Sequence, residues 1–339
     1  MDPEALDSGH RQKEPVNQLR LNPLTGGWVT VATNRALRPE DFARDPSPLN
    51  YSRSEPCPFC PGHEEALPPA LETYDSGGEW RLRVVPNRYP AFQGHEPMVA
   101  DKVGPVFAKA PASGIHEVLV FTPNHKQSWA DLDDDQADLV MTALRDRLAQ
   151  HAQEPVVRYS QAIVNHGRAA GASLEHPHGQ LLGIPFVPDE LVDEIAGFRR
   201  FTGSCLLCAT ISAERDATHR TVSDHDGVVV VAPWWSARPF ELLVIPETHQ
   251  GHLRDASEPD LSAVGRAVRD ALHQLRDLLG DVSYNLVVHT LPHHADDPFH
   301  WHIHLVPRVH SNGGFEQGTG VPINIVAPEE ARRLLTLDD

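Results

Sequence analysis

Asn165-His166-Gly167, followed by Gly171-Ala172-Ser173-Leu174-Glu175-His176-Pro177-His178-Gly179-Gln180, decides how this chain is read, because an altered copy, His300-Trp301-His302-Ile303-His304, recurs later. His176 and His300 stand 124 positions apart, as do His178 and His302, Gln180 and His304, His125 and His249, and Glu117 and Glu241. The same offset aligns Glu117-Val118-Leu119-Val120 with Glu241-Leu242-Leu243-Val244, and Ala143-Leu144-Arg145-Asp146-Arg147-Leu148 with Ala267-Val268-Arg269-Asp270-Ala271-Leu272. Strand and helix segments that keep register with the histidines make each half one structural unit, so the chain reads as a duplication. Two such halves are expected to face each other about a pseudo-twofold.

Hydrophobic spacing predicts strands at Trp28 to Ala32, Trp80 to Pro86, His116 to Phe121, Val156 to Val164 and Gly179 to Ile184, with a helix over Asp134 to Gln153. The second half repeats this order with strands at Gly227 to Val231, Glu241 to Ile245, Ser283 to His289 and His300 to Pro307 around a helix from Pro259 to Leu279, and Pro328 to Leu335 closes the chain as a helix. Few helices among many strands predict an α+β fold with mostly antiparallel sheets flanked by helices. Residues 1–18 read as a polar mobile segment, 19–190 as the N-terminal unit and 191–339 as the C-terminal unit.

A chain of 339 residues can bury a large core and is long enough for about two domains. Its net charge of -18 opposes a nucleic acid or an anionic membrane as main partner, since either needs a broad basic surface. Small phosphorylated ligands need only a local cluster of cations. The acidic start, Met1-Asp2-Pro3-Glu4, and the lack of a long apolar run predict a cytoplasmic protein.

Four cysteines form two Cys-x-x-Cys pairs, Cys57/Cys60 and Cys205/Cys208, and in a chain without an export signal these favour metal or redox use over structural disulfides. The histidines favour metal. His125 and His176 follow the first pair, His249 and His300 the second, with 51 residues between the histidines each time. Two thiolates and two imidazoles make a closed tetrahedral set suited to structural Zn²⁺, giving one zinc site per half. A third set joins His302 and His304, alternate residues of one strand, with His289 and with Glu194 from the helix after Val187-Pro188. Three imidazoles and a carboxylate suit Fe²⁺ or Zn²⁺.

Period-two geometry puts His176, His178 and Gln180 on one strand face. With His176 holding zinc, His178 is left to do chemistry, and an imidazole nitrogen can attack phosphorus to leave a labile phosphoramidate. The small residues upstream, Gly167, Gly171, Ala172 and Ser173, let backbone amides and a hydroxyl approach phosphate oxygens. Gln180 can only hydrogen-bond, which favours group transfer over hydrolysis. His302 occupies the nucleophile position of the second half, but Pro292 to Pro298 offers no small-residue cradle before it, so metal ligation suits it better.

These residues, with Leu21-Asn22-Pro23-Leu24-Thr25-Gly26-Gly27-Trp28-Val29, Asn34-Arg35-Ala36-Leu37-Arg38-Pro39 and Thr122-Pro123-Asn124-His125, resemble galactose-1-phosphate uridylyltransferases, the transferase branch of the histidine-triad superfamily, over nearly the whole chain. The resemblance implies two histidine-triad-like domains. It also implies a ping-pong reaction in which UDP-glucose uridylylates His178, glucose 1-phosphate leaves, and galactose 1-phosphate takes the UMP, with Gln180 holding the transferred phosphoryl group. Asn87, Asn165 and Ser173 would contact the nucleotide or its phosphates, Arg35 and Arg38 would neutralise phosphate charge, and Phe315 and Glu316 would line the hexose pocket. A homodimer whose partner helps complete each site is implied as well.

There are departures. Arg88 stands where some members carry an acidic residue beside the base-binding asparagine, and His310 where a lysine near the hexose phosphate is expected. The second Cys-x-x-Cys set resembles that of ADP-sugar phosphorylases of this fold, which pass AMP to phosphate; such a phosphorylase, acting on an ADP-sugar or a dinucleoside polyphosphate, is the alternative expectation.

Overall fold

The computed structural model describes residues 17–33 and 56–336, so most of the N-terminal segment and both Arg35 and Arg38 lie outside the described residues. The strands are β1 (Gln18–Leu21), β2 (Trp28–Val31), β3 (Glu72–Ser76), β4 (Glu79–Pro86), β5 (Asp101–Val103), β6 (Phe107–Lys109), β7 (Ile115–Val120), β8 (Tyr159–His166), β9 (His178–Ile184), β10 (Thr221–His225), β11 (Val228–Val231), β12 (Leu242–Pro246), β13 (Tyr284–His289), β14 (His302–Pro307) and β15 (Ile323–Asn324). The α-helices are α1 (Asp134–His151), α2 (Asp189–Arg200), α3 (Leu206–Ala217), α4 (Glu258–Leu279), α5 (Gly314–Thr319) and α6 (Pro328–Leu335). None of these helices is long and apolar enough to cross a membrane.

Ten strands form one sheet in the order β10-β11-β12-β14-β13-β8-β9-β7-β4-β3, every neighbouring pair antiparallel. The order is palindromic: β8 and β13 meet at the centre, and β9, β7, β4 and β3 run outward as β14, β12, β11 and β10 do on the other side. This is the pseudo-twofold expected from the 124-residue offset. The expected β8 begins three residues late, because Glu154 to Arg158 makes a turn in which Val157 N–H donates to the Glu154 carbonyl at 3.0 Å. A small sheet, β1-β2-β15, and the hairpin β5-β6 complete the strands.

The two faces of the large sheet differ. On one face α1 and α4 pack side by side and bury Leu82, Leu119, Leu181, Leu286, Ile303 and Leu305 beneath them. Helix α1 starts where Asp133 accepts the Gln136 N–H at 2.8 Å, and α4 where Ser257 accepts that of Asp260; each cap satisfies a backbone donor that the first turn leaves unpaired. Every fully buried Leu, Ile or Val on this face contributes about 1.5–3 kcal/mol of transfer free energy. On the opposite face α2 and α3 cover only the second half, burying Val229, Val231, Leu243 and Ile245 with Leu191, Ile195 and Leu207. The first half has only a small cluster there, Phe59 with Val85, Val118 and Val120. Among the described residues the face that carries His178 is open in the sense that no helix packs on it, whereas α2 and α3 cover the matching face that carries His302.

One charged pair lies within the helix-covered side. Glu117, only 2% exposed, accepts from Arg147 Nε at 2.8 Å, and His151 Nε2 stands 3.3 Å from it. Burial pushes the Glu117 carboxyl up, but the His151 and Arg147 contacts more than offset that and hold it below the usual carboxylate range. Its pKa being lower folded than unfolded, the pair stabilises the protein above a pH of about 4.3, and that stability is lost as pH falls through the depressed value. Arg147→Met strands the carboxylate and is expected to cost about 3–5 kcal/mol at neutral pH by urea denaturation. A change below 1 kcal/mol would contradict this account.

Candidate active site and metal centres

His178 opens β9, and the strand's alternation sends His178 and Gln180 to the open face. Gly179 between them is required by packing, since a Cβ there would sit 2.7 Å from the Phe121 ring. Gly167, in the turn before the strand, has φ of +77° and passes too close to Ser283 Oγ for any side chain. His178 is 6% exposed and its Nδ1–H donates to the His176 carbonyl at 2.8 Å. That bond sets the tautomer and leaves the Nε2 lone pair unprotonated. Burial pushes the ring's pKa down, with the bond to His176 acting the other way, so the imidazole is neutral near pH 7.

Gln180 Oε1 accepts from His116 Nε2 at 2.9 Å, and His116 Nδ1 accepts the Ala91 N–H at 3.1 Å. With its oxygen so held, the Gln180 carboxamide presents its NH₂ as a donor. Asn87 stands on the other side of His116, its Nδ2 3.1 Å from His116 Nε2 and its Oδ1 accepting the Tyr89 N–H. Sequence reasoning passed over His116, although period two from Val118 and Val120 places it on the face of Gln180. Asn165 lies on β8 beside His178, and its Oδ1 accepts from Asn285 Nδ2 at 2.7 Å. Asn285 comes from the second half and was invisible from the motif.

A cleft of about 380 Å³ opens at the strand ends beside His178, bounded by Asn165, His166, Arg168, His176 and Lys126. Gln180, on β9, and Asn87, just after β4, lie outside the lining of that cleft. Ser173 is exposed on the loop into β9 and does not line the cleft. Phe315, 52% exposed, and Glu316 lie on α5, likewise apart from it.

Each half brings together one Cys₂His₂ set whose ligand atoms lie within 4.8 Å of one another. In the first, Cys60 Sγ is 3.3 Å from His125 Nδ1 and 3.6 Å from His176 Nδ1; in the second, Cys208 Sγ is 3.7 Å from His249 Nδ1 and 3.6 Å from His300 Nδ1. His176 Nε2 donates to the Thr122 carbonyl at 2.8 Å, and His300 Nε2 to that of Pro246 at 2.9 Å, so both rings turn an unprotonated Nδ1 toward the sulfurs. This is the outer-shell bond that metal-ligating histidines make. Burial, then the neighbouring cysteine, pushes the Cys60 and Cys208 thiols up to about 11, and a bound cation would reverse that cost. The residues fit a tetrahedral metal.

The third set is also assembled: Glu194, His289, His302 and His304 converge within 4.8 Å. His289 Nδ1 lies 2.9 Å from Glu194 Oε1, and His302 Nδ1 donates to the His300 carbonyl, leaving Nε2 inward. Glu194 Oε2, His302 Nε2 and His304 Nε2 are buried with no hydrogen-bond partner among the described residues. Three orphaned polar atoms aimed at one point are costly unless something fills it, and a cation is what this donor set would hold.

The family profile described as Galactose-1-phosphate uridyl transferase, N-terminal domain, matches residues 9–188, and a domain of unknown function (DUF4921) matches residues 124–337. The chain is 32% identical to an ADP-glucose phosphorylase of Arabidopsis thaliana across 94% of its own length and 92% of that protein's. It is 28% identical to a galactose-1-phosphate uridylyltransferase of Thermotoga maritima across 94% of its length and 97% of that protein's. Among solved structures, the A. thaliana ADP-glucose phosphorylase with bound ADP-glucose matches with a TM-score of 0.80 and 28% identity, covering 95% of this chain and 98% of that one.

Proposed function

Because this chain belongs to the galactose-1-phosphate uridylyltransferase family, we propose that it is a nucleotidyltransferase that uses His178 as nucleophile, passing UMP from UDP-glucose to galactose 1-phosphate or a related hexose 1-phosphate. The observation that carries this reading is the state of His178: neutral, its Nδ1–H fixed on the His176 carbonyl and its Nε2 lone pair uncommitted.

In the first step Nε2 forms a bond to the α-phosphorus, and the bond from that phosphorus to the bridging oxygen breaks, so glucose 1-phosphate leaves with the electron pair. In the second, a phosphate oxygen of the acceptor attacks the same phosphorus, and the N–P pair returns to His178. The Nδ1–H bond to His176 steadies the ring's positive charge in the intermediate. Gln180, anchored through His116, donates its NH₂ to a phosphoryl oxygen, and having no acidic proton to give, it favours transfer over hydrolysis.

Cys57, Cys60, His125 and His176 would hold zinc, Cys205, Cys208, His249 and His300 a second, and Glu194, His289, His302 and His304 iron or zinc. A metal in the first of these would lend rigidity to the turn that carries His178, because His176 belongs to that set. Arg35 and Arg38 are assigned to phosphate and Asn87, Asn165 and Ser173 to the nucleotide. Phe315, exposed, and Glu316, half-buried, both outside the cleft lining, fit a homodimer in which the partner supplies the hexose contacts.

The greater identity of the ADP-glucose phosphorylase favours a second reading, in which ADP-glucose adenylylates His178 and inorganic phosphate discharges it. Intact mass after incubation with each sugar nucleotide separates the two. A uridylyl increment discharged by galactose 1-phosphate supports the first, and an adenylyl increment discharged by phosphate supports the second. No adduct from either donor would refute the covalent route for both.

A further inference from the structure

His116 lies on β7, where the register sets Val118 opposite Gln180 and His116 opposite Leu182, so its ring reaches Gln180 on the diagonal. Among the described residues three groups meet that ring. Ala91 N–H donates to Nδ1 at 3.1 Å, Gln180 Oε1 stands 2.9 Å from Nε2, and Asn87 Nδ2 stands 3.1 Å from the same Nε2. A backbone N–H can only donate, so Nδ1 is the nitrogen that lacks a hydrogen and Nε2 is the one that carries it. The Asn87 carboxamide brings no acceptor to that hydrogen, because its oxygen accepts the Tyr89 N–H at 2.9 Å and its nitrogen is itself a donor. The Nε2 hydrogen therefore goes to Gln180 alone.

No other hydrogen bond holds the Gln180 side chain among the described residues. A carboxamide presents either its oxygen or its NH₂ to a given neighbour, and half a turn about one bond exchanges the two. With the oxygen outward, Gln180 would set a partial negative charge against a phosphoryl group; with the NH₂ outward, it donates to that group. The ring hydrogen of His116 decides between them, and a backbone N–H in the segment that leaves β4 places that hydrogen. The same segment carries Asn87, whose own N–H donates to the His116 carbonyl at 2.8 Å. Ring and backbone of one residue thus tie this segment to Gln180.

We propose that His116 is a positioning residue for the transfer, holding the Gln180 carboxamide with its NH₂ toward the transferred phosphoryl group, in a sense dictated by the Ala91 N–H. The assignment rests on the nucleotidyl-transfer reading. It gives a part in the reaction to a histidine that belongs neither to the metal sets nor to the histidine motif.

Two substitutions separate this from a purely structural role, since each keeps the contact of one ring nitrogen. His116→Gln puts an NH₂ where Nε2 stood and gives up the Ala91 contact, whereas His116→Asn puts an oxygen where Nδ1 stood and gives up the Gln180 contact. Labelling of His178 in the full-length protein is followed over time by intact mass with UDP-glucose and with ADP-glucose, for variants whose circular dichroism matches wild type. His116→Asn should label about tenfold more slowly, as for the loss of one hydrogen bond made in the transition state, while His116→Gln stays close to wild type. Adding His116→Asn to Gln180→Ala should slow labelling no further, because the histidine acts only through that side chain. Normal labelling by His116→Asn with slow labelling by His116→Gln would mean that His116 only holds the segment, and would overturn the proposal. Effects of His116→Asn and Gln180→Ala that multiply would overturn it too. Ring ¹⁵N shifts of the wild type give a readout independent of any variant's folding: they should show Nε2 protonated and Nδ1 not, and the opposite tautomer refutes the assignment. If no donor labels His178, the transfer reading falls. The positioning is then decided by the Gln180 side-chain amide resonance, which should move in His116→Asn and hold in His116→Gln.

Discussion

Replacing His178 with glycine should lower net turnover by a factor on the order of 10⁴ or more while leaving the chain folded, because in the proposed route the substitution removes the atom that takes the nucleotidyl group. His178 is buried, but the cluster beneath it is confined to Phe59, Val85, Val118 and Val120 and is separate from the main core, so loss of one imidazole should leave the chain folded. The measurement is steady-state turnover together with intact mass and circular dichroism. Loss of both the adduct and the activity with an unchanged spectrum is the expected result. Near-normal turnover, with or without an adduct in the wild type, would mean that the acceptor attacks the donor directly and that His178 only binds.

Cys60→Ser and Cys205→Ser are each expected to remove about one equivalent of metal per chain, measured by elemental mass spectrometry, and to lower stability by several kcal/mol in denaturant. Their functional effects should differ. His176, a ligand of the first set, also supplies the carbonyl that fixes His178, so Cys60→Ser should slow nucleotidylation as well. Cys205 is tied through His300 to the sealed half, so its loss should act on stability with little effect on the rate of labelling. Wild-type protein purified without metal and as stable as with it would refute the structural role assigned to both sets.

Much of this was readable from residues alone where periodicity and repetition reinforce each other. The 124-residue offset located β7, β9, β12, β13 and β14 to within about two residues, because a buried strand and its copy share both alternation and register. Helices α1 and α4 announced themselves through acidic first turns and a 3.6-residue apolar stripe. By contrast β5 and β6 are exposed along their whole length and carry no alternation to read. Strand β15 spans two residues and exists because β2 offers it an edge.

The residue sets that could hold a metal were legible because cysteine pairs and histidines have few other uses at such spacings. Their outer-shell carbonyls at Thr122 and Pro246 were not, since any residue has a carbonyl. Asn285 escaped for another reason: it reaches Asn165 where β13 meets β8, a contact between residues 120 positions apart. Phe315 and Glu316 came from family resemblance, and neither lines the cleft formed by the described residues.

His178 and His302 each donate Nδ1–H to the carbonyl two residues earlier, at 2.8 and 2.9 Å. The bond needs only the strand's own backbone, so any ancestor of the two halves already aimed Nε2 away from the chain before either histidine had its present neighbours. On that shared strand geometry the two halves differ in covering: α2 brings Glu194 to 3.8 Å from His302 Nε2, whereas among the described residues the ring packed on His178 is that of Phe59, 5.3 Å away between centroids.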